Sequence, residues 1–432
     1  MPQVKQNRSS TSLTTSTSLT IKSLVIITTH LIQYNAPLFR YLASIGTFRL
    51  KVFYTWGENS IRVYDPGFGK ERAWDIDLLN GYDHCFVNNL SKDPGSHHYK
   101  GIINPNLIDQ VASFHPDAIL IYGWKFQSHL QLMRHFKGKI PIIFRGDSTL
   151  LDEPNGFSIK KWGRQQLLKW VYSYVDHALS PGTASDEYFK WVGLKSHQIN
   201  RARHAVENER FMGEMENGNW ELGNGRWEME NKAKKWRQEL GILDDKKVFL
   251  FAGKFEPKKD PLLLIRAFKQ LLQKRSDIHL IMVGNGILEE QIKKEISISQ
   301  FPSTPSTPST SSTSLNLSHP PSTSSTPSTS HITLLPFQNQ SIMPIVYRLG
   351  DVFVLPSRGP GETWGLSVNE AMASGRAAIV SDKCGCANDL FPNEFSKYIF
   401  PAGDVDALTI RMEMMIENNL LNQVLVYGKT VR

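Results

Sequence analysis

The stretch Asp351 to Asp382, DVFVLPSRGPGETWGLSVNEAMASGRAAIVSD, constrains the fold of this chain more than any other. It opens on an apolar run, Val352 to Leu355, and closes on another, Ala377 to Val380, each bounded by Pro, Gly, Ser or Asp as buried parallel strands are. Between them lie a glycine-rich loop and a helix predicted over Leu366 to Ser374. Leu366, Val368, Ala371 and Met372 are available for packing, and Gly375 is placed to end the helix in a left-handed conformation. Such a strand, loop, helix, strand unit belongs to a doubly wound α/β sheet. Ligands of these sheets bind beyond the carboxyl ends of the strands, so Arg358 to Gly365 is expected to face one.

Two carboxylates frame that loop. Glu362 precedes the helix, and Glu370 follows eight residues later, inside it. Unpaired amides at the helix start favour an anion. Hydroxyl acceptors beside phosphate donors suit a sugar attached to a nucleoside diphosphate. Taken alone, the two acids read equally well as glutamates favoured by the helix dipole. The surrounding wording adds weight: LPS, GETWG, a Glu with seven residues to the next Glu, and EAMASG resemble the retaining glycosyltransferases of family 4, among the group 1 glycosyl transferases, which have the GT-B fold.

At 432 residues the chain has room for two domains with separate cores. No run reaches the roughly 18 apolar residues of a spanning helix. The net charge of +8 comes from scattered Lys and Arg rather than one stripe, so nucleic acid is not an expected partner. Cys85, Cys384 and Cys386 form no CxxC pair, which points to neither a disulfide framework nor a zinc site. A reducing cytoplasm is the expected location, with peripheral contact at the inner membrane face left open.

Low-complexity tracts divide the chain. Residues 1–20 are rich in Ser and Thr, and Pro302 to Ser330 contains 25 Ser, Thr or Pro in 29 residues. Both are expected to be disordered, because they offer too little apolar surface to offset ordering entropy. Gly213 to Glu230 is a polar, Gly/Asn-rich tract. The expected organisation is a first domain over 21–211, a flexible linker over 212–235, and a second domain over 236–432 carrying the insertion 302–330.

In the first domain, Leu24 to Thr28, Leu50 to Tyr54, Tyr82 to Val87, Ala118 to Tyr122, Pro141 to Phe144 and Ala178 to Ser180 read as strands. His30, Gln33 and Tyr34 fall in the first strand-to-helix loop, where His30 either touches a ligand or packs the loop. Asp75-Ile76-Asp77 has the spacing of a metal-chelating pair. No apolar strand delivers it to a site, and no metal is expected. Asp147, after the strand ending at Phe144, reads as an acceptor contact or a helix cap.

The second domain opens with the strand Lys247 to Ala252, then GKFEPKKDP before a helix over Pro261 to Lys274. Gly253 lets backbone approach a ligand, and Lys254 and Lys259 can neutralise a diphosphate. The strand Ile278 to Val283 ends in Gly284-Asn285-Gly286. Glu289 stands where a dinucleotide fold would place its third glycine, which weakens a dehydrogenase reading.

The resemblance implies two facing Rossmann-like doubly wound domains with the active site in the cleft between them. It places Glu370 on the nucleotide ribose, Glu362 on the donor sugar, and Lys254 and Lys259 on the diphosphate, with Trp364, Gly365 and Leu366 beside the leaving phosphate. Gly253, Gly284, Asn285 and His30 complete the expected substrate contacts. The implied reaction transfers a sugar from a nucleotide-diphosphate donor to a saccharide or lipid-linked acceptor with no cofactor. A nucleotide-sugar epimerase and a non-catalytic sugar-nucleotide binder are the alternatives. The family commonly ends on a helix that crosses back to the first domain, and Val424 to Arg432 is expected to be too short to supply it.

Overall fold

The computed structural model describes residues 22–61, 63–65, 70–72, 74–154, 156, 158–213, 224–297 and 331–417. The Ser/Thr-rich start, the insertion 302–330 and the closing segment lie outside these. Apolar runs alternate with amphipathic helices along the chain, and that alternation builds two parallel sheets covered by helices.

The first domain runs β1 (Ser23–Thr28), α1 (Ala36–Ser44), β2 (Arg49–Tyr54), a small antiparallel pair β3 (Val63–Asp65) and β4 (Lys70–Arg72), then β5 (His84–Phe86). It continues α2 (Leu107–Ser113), β6 (Ala118–Tyr122), α3 (Gln127–Phe136), β7 (Ile142–Arg145), α4 (Ile159–Tyr172), β8 (His177–Ser180), α5 (Thr183–Trp191), β9 (Ile199–Arg201) and α6 (Asn208–Met212). Its sheet has the order β5-β2-β1-β6-β7-β8-β9, every pair parallel. Val25 and Ile27 pack on one face of the sheet, Leu24 and Ile26 on the other.

The second domain runs α7 (Asn224–Glu239), β10 (Lys247–Ala252), α8 (Pro261–Leu272), β11 (Ile278–Val283), α9 (Glu289–Ser297), β12 (Ile332–Leu335) and α10 (Met343–Arg348). Then come β13 (Val352–Leu355), α11 (Leu366–Ala373), β14 (Ala377–Ser381), α12 (Ala387–Leu390), β15 (Ile399–Phe400) and α13 (Val405–Glu417). Its parallel sheet has the order β12-β11-β10-β13-β14-β15. The order reverses between β10 and β13, which opens a crevice beyond their carboxyl ends. In the first sheet the reversal lies between β1 and β6.

Two boundaries differ from those expected. The residue ending the expected first domain, Phe211, is buried in the second domain's core and meets Tyr347 edge-on at 5.9 Å. Where a flexible linker is expected over 212–235, α7 occupies Asn224–Glu239, while 214–223 lie outside the described residues. The polar composition of α7 hides what holds it. Ala233 is buried, Glu230 pairs with Arg376 and with Arg348 at 3.4 Å, and Arg237 pairs with Asp351 at 2.8 Å. Those partners lie more than a hundred residues away, so composition alone reads as a loop.

All three cysteines are free. Among the described residues, no helix is long and apolar enough to cross a membrane.

Candidate active site

The crevice beyond β10 and β13 meets the β1–α1 loop of the first domain in a cavity of about 390 Å³. Ligand pockets have about this volume. Its walls include Gly253, Lys254 and Lys259 from the loop after β10 and Gly284 from the turn after β11. Glu362, Trp364, Gly365, Leu366 and Glu370 come from the β13–α11 unit. Gln33 and Tyr34 face them from the first domain.

Lys259 and Glu362, 103 positions apart in the chain, form an ion pair between largely buried side chains, 16% and 8% exposed. A short turn over Pro257–Lys259 delivers the lysine, and the Arg358 amide donates to the Lys258 carbonyl at 2.9 Å, lacing the two loops together. Ser357 donates to the same Glu362 oxygen at 2.9 Å. Burial works against both charges. Lys259 nevertheless holds Glu362 below the usual glutamate range, and Glu362 holds Lys259 above the usual lysine value. Both groups therefore stay charged at neutral pH.

Glu370 is in a different state. It lies inside α11 with Tyr347 donating to one oxygen at 2.6 Å and the Tyr34 hydroxyl also acting on the carboxylate, and it keeps one buried oxygen without a bond of ordinary geometry. Burial pushes its pKa up to about 7. The charge of Glu370, after burial itself, raises the pKa of Tyr34 from the opposite domain. A buried, half-satisfied carboxyl on a cavity wall can accept a ligand hydroxyl.

Two glycines set the backbone around this wall. Gly365 caps α11 at φ +98°, which turns the chain sharply so that the first amides of the helix start at the cavity. Gly284, at φ +152°, lies so close to the neighbouring loop that a Cβ would stand 2.0 Å from the Gly253 carbonyl oxygen. Trp364 is buried and fixed by its indole N–H, which donates to Asn369 Oδ1 at 2.8 Å.

Two expected contacts lie elsewhere. Asn285 is absent from the cavity wall: its Oδ1 accepts from the Phe337 amide at 2.7 Å, and its amide group donates to Glu289 at 2.9 Å. These bonds hold the β11 turn. His30 is also absent from the wall. Its ring sits edge-on to Trp56 at 5.3 Å, and its Nδ1 is 2.7 Å from the Thr29 hydroxyl. The members of that loop on the cavity wall are Gln33 and Tyr34, three and four residues on.

The Asp-x-Asp pair does not reach the cavity. Asp75 accepts from the Ser341 amide at 3.0 Å and from its hydroxyl, and Asp77 caps the amides of Leu79 and Asn80 at 2.9 and 3.1 Å. Tyr347, Ser367 and Met343 line the wall without having been singled out from the sequence. No local signal marks them, since each sits at an ordinary helical position.

Residues 232–300 and 325–430 match the family model described as Glycosyl transferases group 1. The lipopolysaccharide 1,2-N-acetylglucosaminetransferase of Salmonella typhimurium is 29% identical over 161 residues, 36% of this chain and 35% of that protein. The UDP-Gal:alpha-D-GlcNAc-diphosphoundecaprenol alpha-1,3-galactosyltransferase of Escherichia coli is 26% identical over 194 residues, 44% of this chain and 42% of that protein. The matched region thus spans about two fifths or less of these relatives. The structure of HepE from Anabaena in complex with UDP and glucose superposes with a TM-score of 0.61 at 14% identity, covering 95% of this chain and 94% of that one. That likeness shows the fold: two facing α/β domains of the GT-B type.

Proposed function

We infer that this chain, whose second domain matches the model of the glycosyl transferases group 1, is a retaining, family 4-type transferase moving a hexosyl unit from a nucleotide-diphosphate sugar to an acceptor hydroxyl. The observation that carries the reading is the single cavity holding the Lys259–Glu362 pair, the start of α11 and the partly unsatisfied Glu370. Those groups match the three parts of such a donor. Glu370 takes the ribose hydroxyls, Lys254 and Lys259 the diphosphate, and Glu362 the hydroxyls of the transferred sugar.

The reaction breaks the bond between the anomeric carbon and the diphosphate oxygen as positive charge grows on the sugar. The electrons of that bond leave with the diphosphate. Stabilising the departing charge is the main electrostatic task, and the reading gives it to Lys254, Lys259 and the amides of Gly365 and Leu366, residues of the cavity wall. The lysines and the helix start supply the positive charge that a divalent cation would otherwise bring, so the reading assigns no metal. The acceptor hydroxyl attacks from the face the leaving group departs, delivering its proton to the departing phosphate, which retains the anomeric configuration without a protein nucleophile. Relatives named for lipopolysaccharide and diphosphoundecaprenol-linked substrates support a saccharide or lipid-linked acceptor.

The test is a panel of nucleotide sugars incubated with purified protein and assayed for free nucleoside diphosphate. Slow hydrolysis with one donor, accelerated by acceptor, is expected. An epimerised sugar, or tight binding without turnover across the panel, overturns the reading.

A further inference from the structure

The loop that leaves β5 carries three metal-ligating side chains close together in sequence, Asp93, His97 and His98. His97 Nε2 stands 3.1 Å and His98 Nε2 3.2 Å from the same Asp93 Oδ2, and the three atoms all lie within 4.8 Å of one another. The two rings meet edge-on at 4.5 Å. An ordinary surface ion pair uses one imidazole. Here two converge on a single carboxylate oxygen and turn the same ring nitrogen toward it, with Asp93 and His97 exposed and His98 partly so.

The loop's own bonds hold this arrangement. Asn89 accepts from the Ser91 and Ile103 amides at 3.1 and 2.9 Å and donates to the Gly101 carbonyl at 2.9 Å. Ser91 donates to the Lys100 carbonyl at 2.6 Å and accepts from the Asp93 amide at 3.2 Å, while the Gly95 amide donates to the Gly101 carbonyl at 3.1 Å. Gly95 also makes room for His97, since a Cβ there would stand 2.5 Å from the ring's Nδ1. A loop fixed in this way loses little entropy when a ligand binds. The donor set selects the cation. Two imidazoles and one carboxylate suit zinc, whereas magnesium and calcium call for oxygen ligands. In a tetrahedral site with bonds of about 2.0–2.1 Å, ligand atoms stand about 3.3 Å apart. The observed 3.1 and 3.2 Å are close to that edge. Coordination needs each Nε2 without its proton, which the neutral ring then carries on Nδ1. His98 Nε2 gives up its 3.0 Å contact with the Asp93 carbonyl in return.

We propose that Asp93, His97 and His98 form a zinc site in the first domain, with water in the fourth position, that clips the loop leaving β5. None of the three residues lines the cavity between the domains. The site therefore stands apart from the transfer reading, which assigns no metal to the reaction, and does not depend on it.

The untagged full chain, stripped with chelator, is dialysed against a series of zinc chloride concentrations, alone and with magnesium in large excess. One zinc per chain is expected, unaffected by magnesium, and cobalt in its place is expected to show the visible absorption of tetrahedral coordination. Asp93→Asn, His97→Ala and His98→Ala are each expected to weaken zinc binding about a hundredfold or more, and Gly95→Ala, which removes no ligand, about tenfold. His135→Ala, at an exposed position on α3, is expected to leave it unchanged. Melting temperatures without metal are recorded for every variant, and the cobalt spectrum of the natural chain decides the matter if a variant does not fold. No zinc bound by the natural chain overturns the proposal, as does zinc held with unchanged affinity by the folded His97→Ala, His98→Ala double variant. A cobalt spectrum without tetrahedral bands also overturns it.

Discussion

Thr363 of the second domain donates its hydroxyl to Asp147 of the first at 2.7 Å. Beside this bond, the Gly361 amide donates to Asp152 at 2.7 Å, and Lys383 donates to the Leu151 carbonyl. The loop after β7 therefore grips the loop that carries Glu362. These contacts join others between the two domains, among them Ser341 with Asp75 at 3.0 Å and Arg201 with Asp389 at 2.9 Å.

Replacing Thr363 with Val removes the hydroxyl and keeps the shape. Asp147 is 47% exposed at its side chain, which limits the bond's worth. A loss of about 1 kcal/mol of closure is expected, about fivefold in turnover per encounter, with little change in melting. Steady-state kinetics and small-angle scattering check it, and unchanged turnover with unchanged compactness refutes the grip.

Removing one partner of the Lys259–Glu362 pair strands the other charge out of water. Lys259→Met is expected to cost about 3–5 kcal/mol of stability and to abolish donor binding. Adding Glu362→Gln is expected to recover most of the stability and none of the activity. Chemical denaturation separates the two effects, and a double variant no more stable than the single would show that the pair is not the cause.

Glu370 gives the protein a pH-dependent stability. Its folded pKa, raised by burial to about 7, exceeds the ordinary value of 4.5, so the folded state holds a proton that the unfolded state releases. Its favourable contribution is complete below pH 4.5 and is lost as pH rises through 7. Glu370→Gln is expected to flatten that fall and to be more stable than the natural chain at pH 8, by about 2–3 kcal/mol. The same variant is expected to bind nucleotide more weakly, since its amide replaces an acceptor. Melting curves across pH test the first part and calorimetric titration with UDP the second.

Gly284→Ala places a methyl where only 2.0 Å separates it from the Gly253 carbonyl oxygen. The loops after β10 and β11 would have to part, with a cost of about 1–3 kcal/mol from backbone strain alone. Lower melting together with weaker nucleotide binding is expected. A variant that melts and binds as the natural chain does would mean the two loops are free to separate.

Much of the architecture was readable from residue order. Val352 to Leu355 and Ala377 to Val380 are strands because continuous apolar runs between turn residues can be buried on both faces, and Gly365 and Gly375 bound the helix between them. Glu362 and Glu370 stood out because a loop and helix of fixed length follow that strand. Such features depend on neighbours a few positions away, so local pattern suffices.

Sequence by itself therefore determined the doubly wound class, most element positions and the loops that line the cavity. Only the tertiary structure decided which polar groups share a cavity. It joined Lys259 to Glu362 and brought Tyr34 across from the other domain to Glu370. It also gave Asn285 and His30 to the support of their own turns, and it made α7 a helix through partners beyond residue 340. The physical reason is that strand order and the facing of two sheets set distances between residues far apart in the chain. No local run of residues encodes those distances.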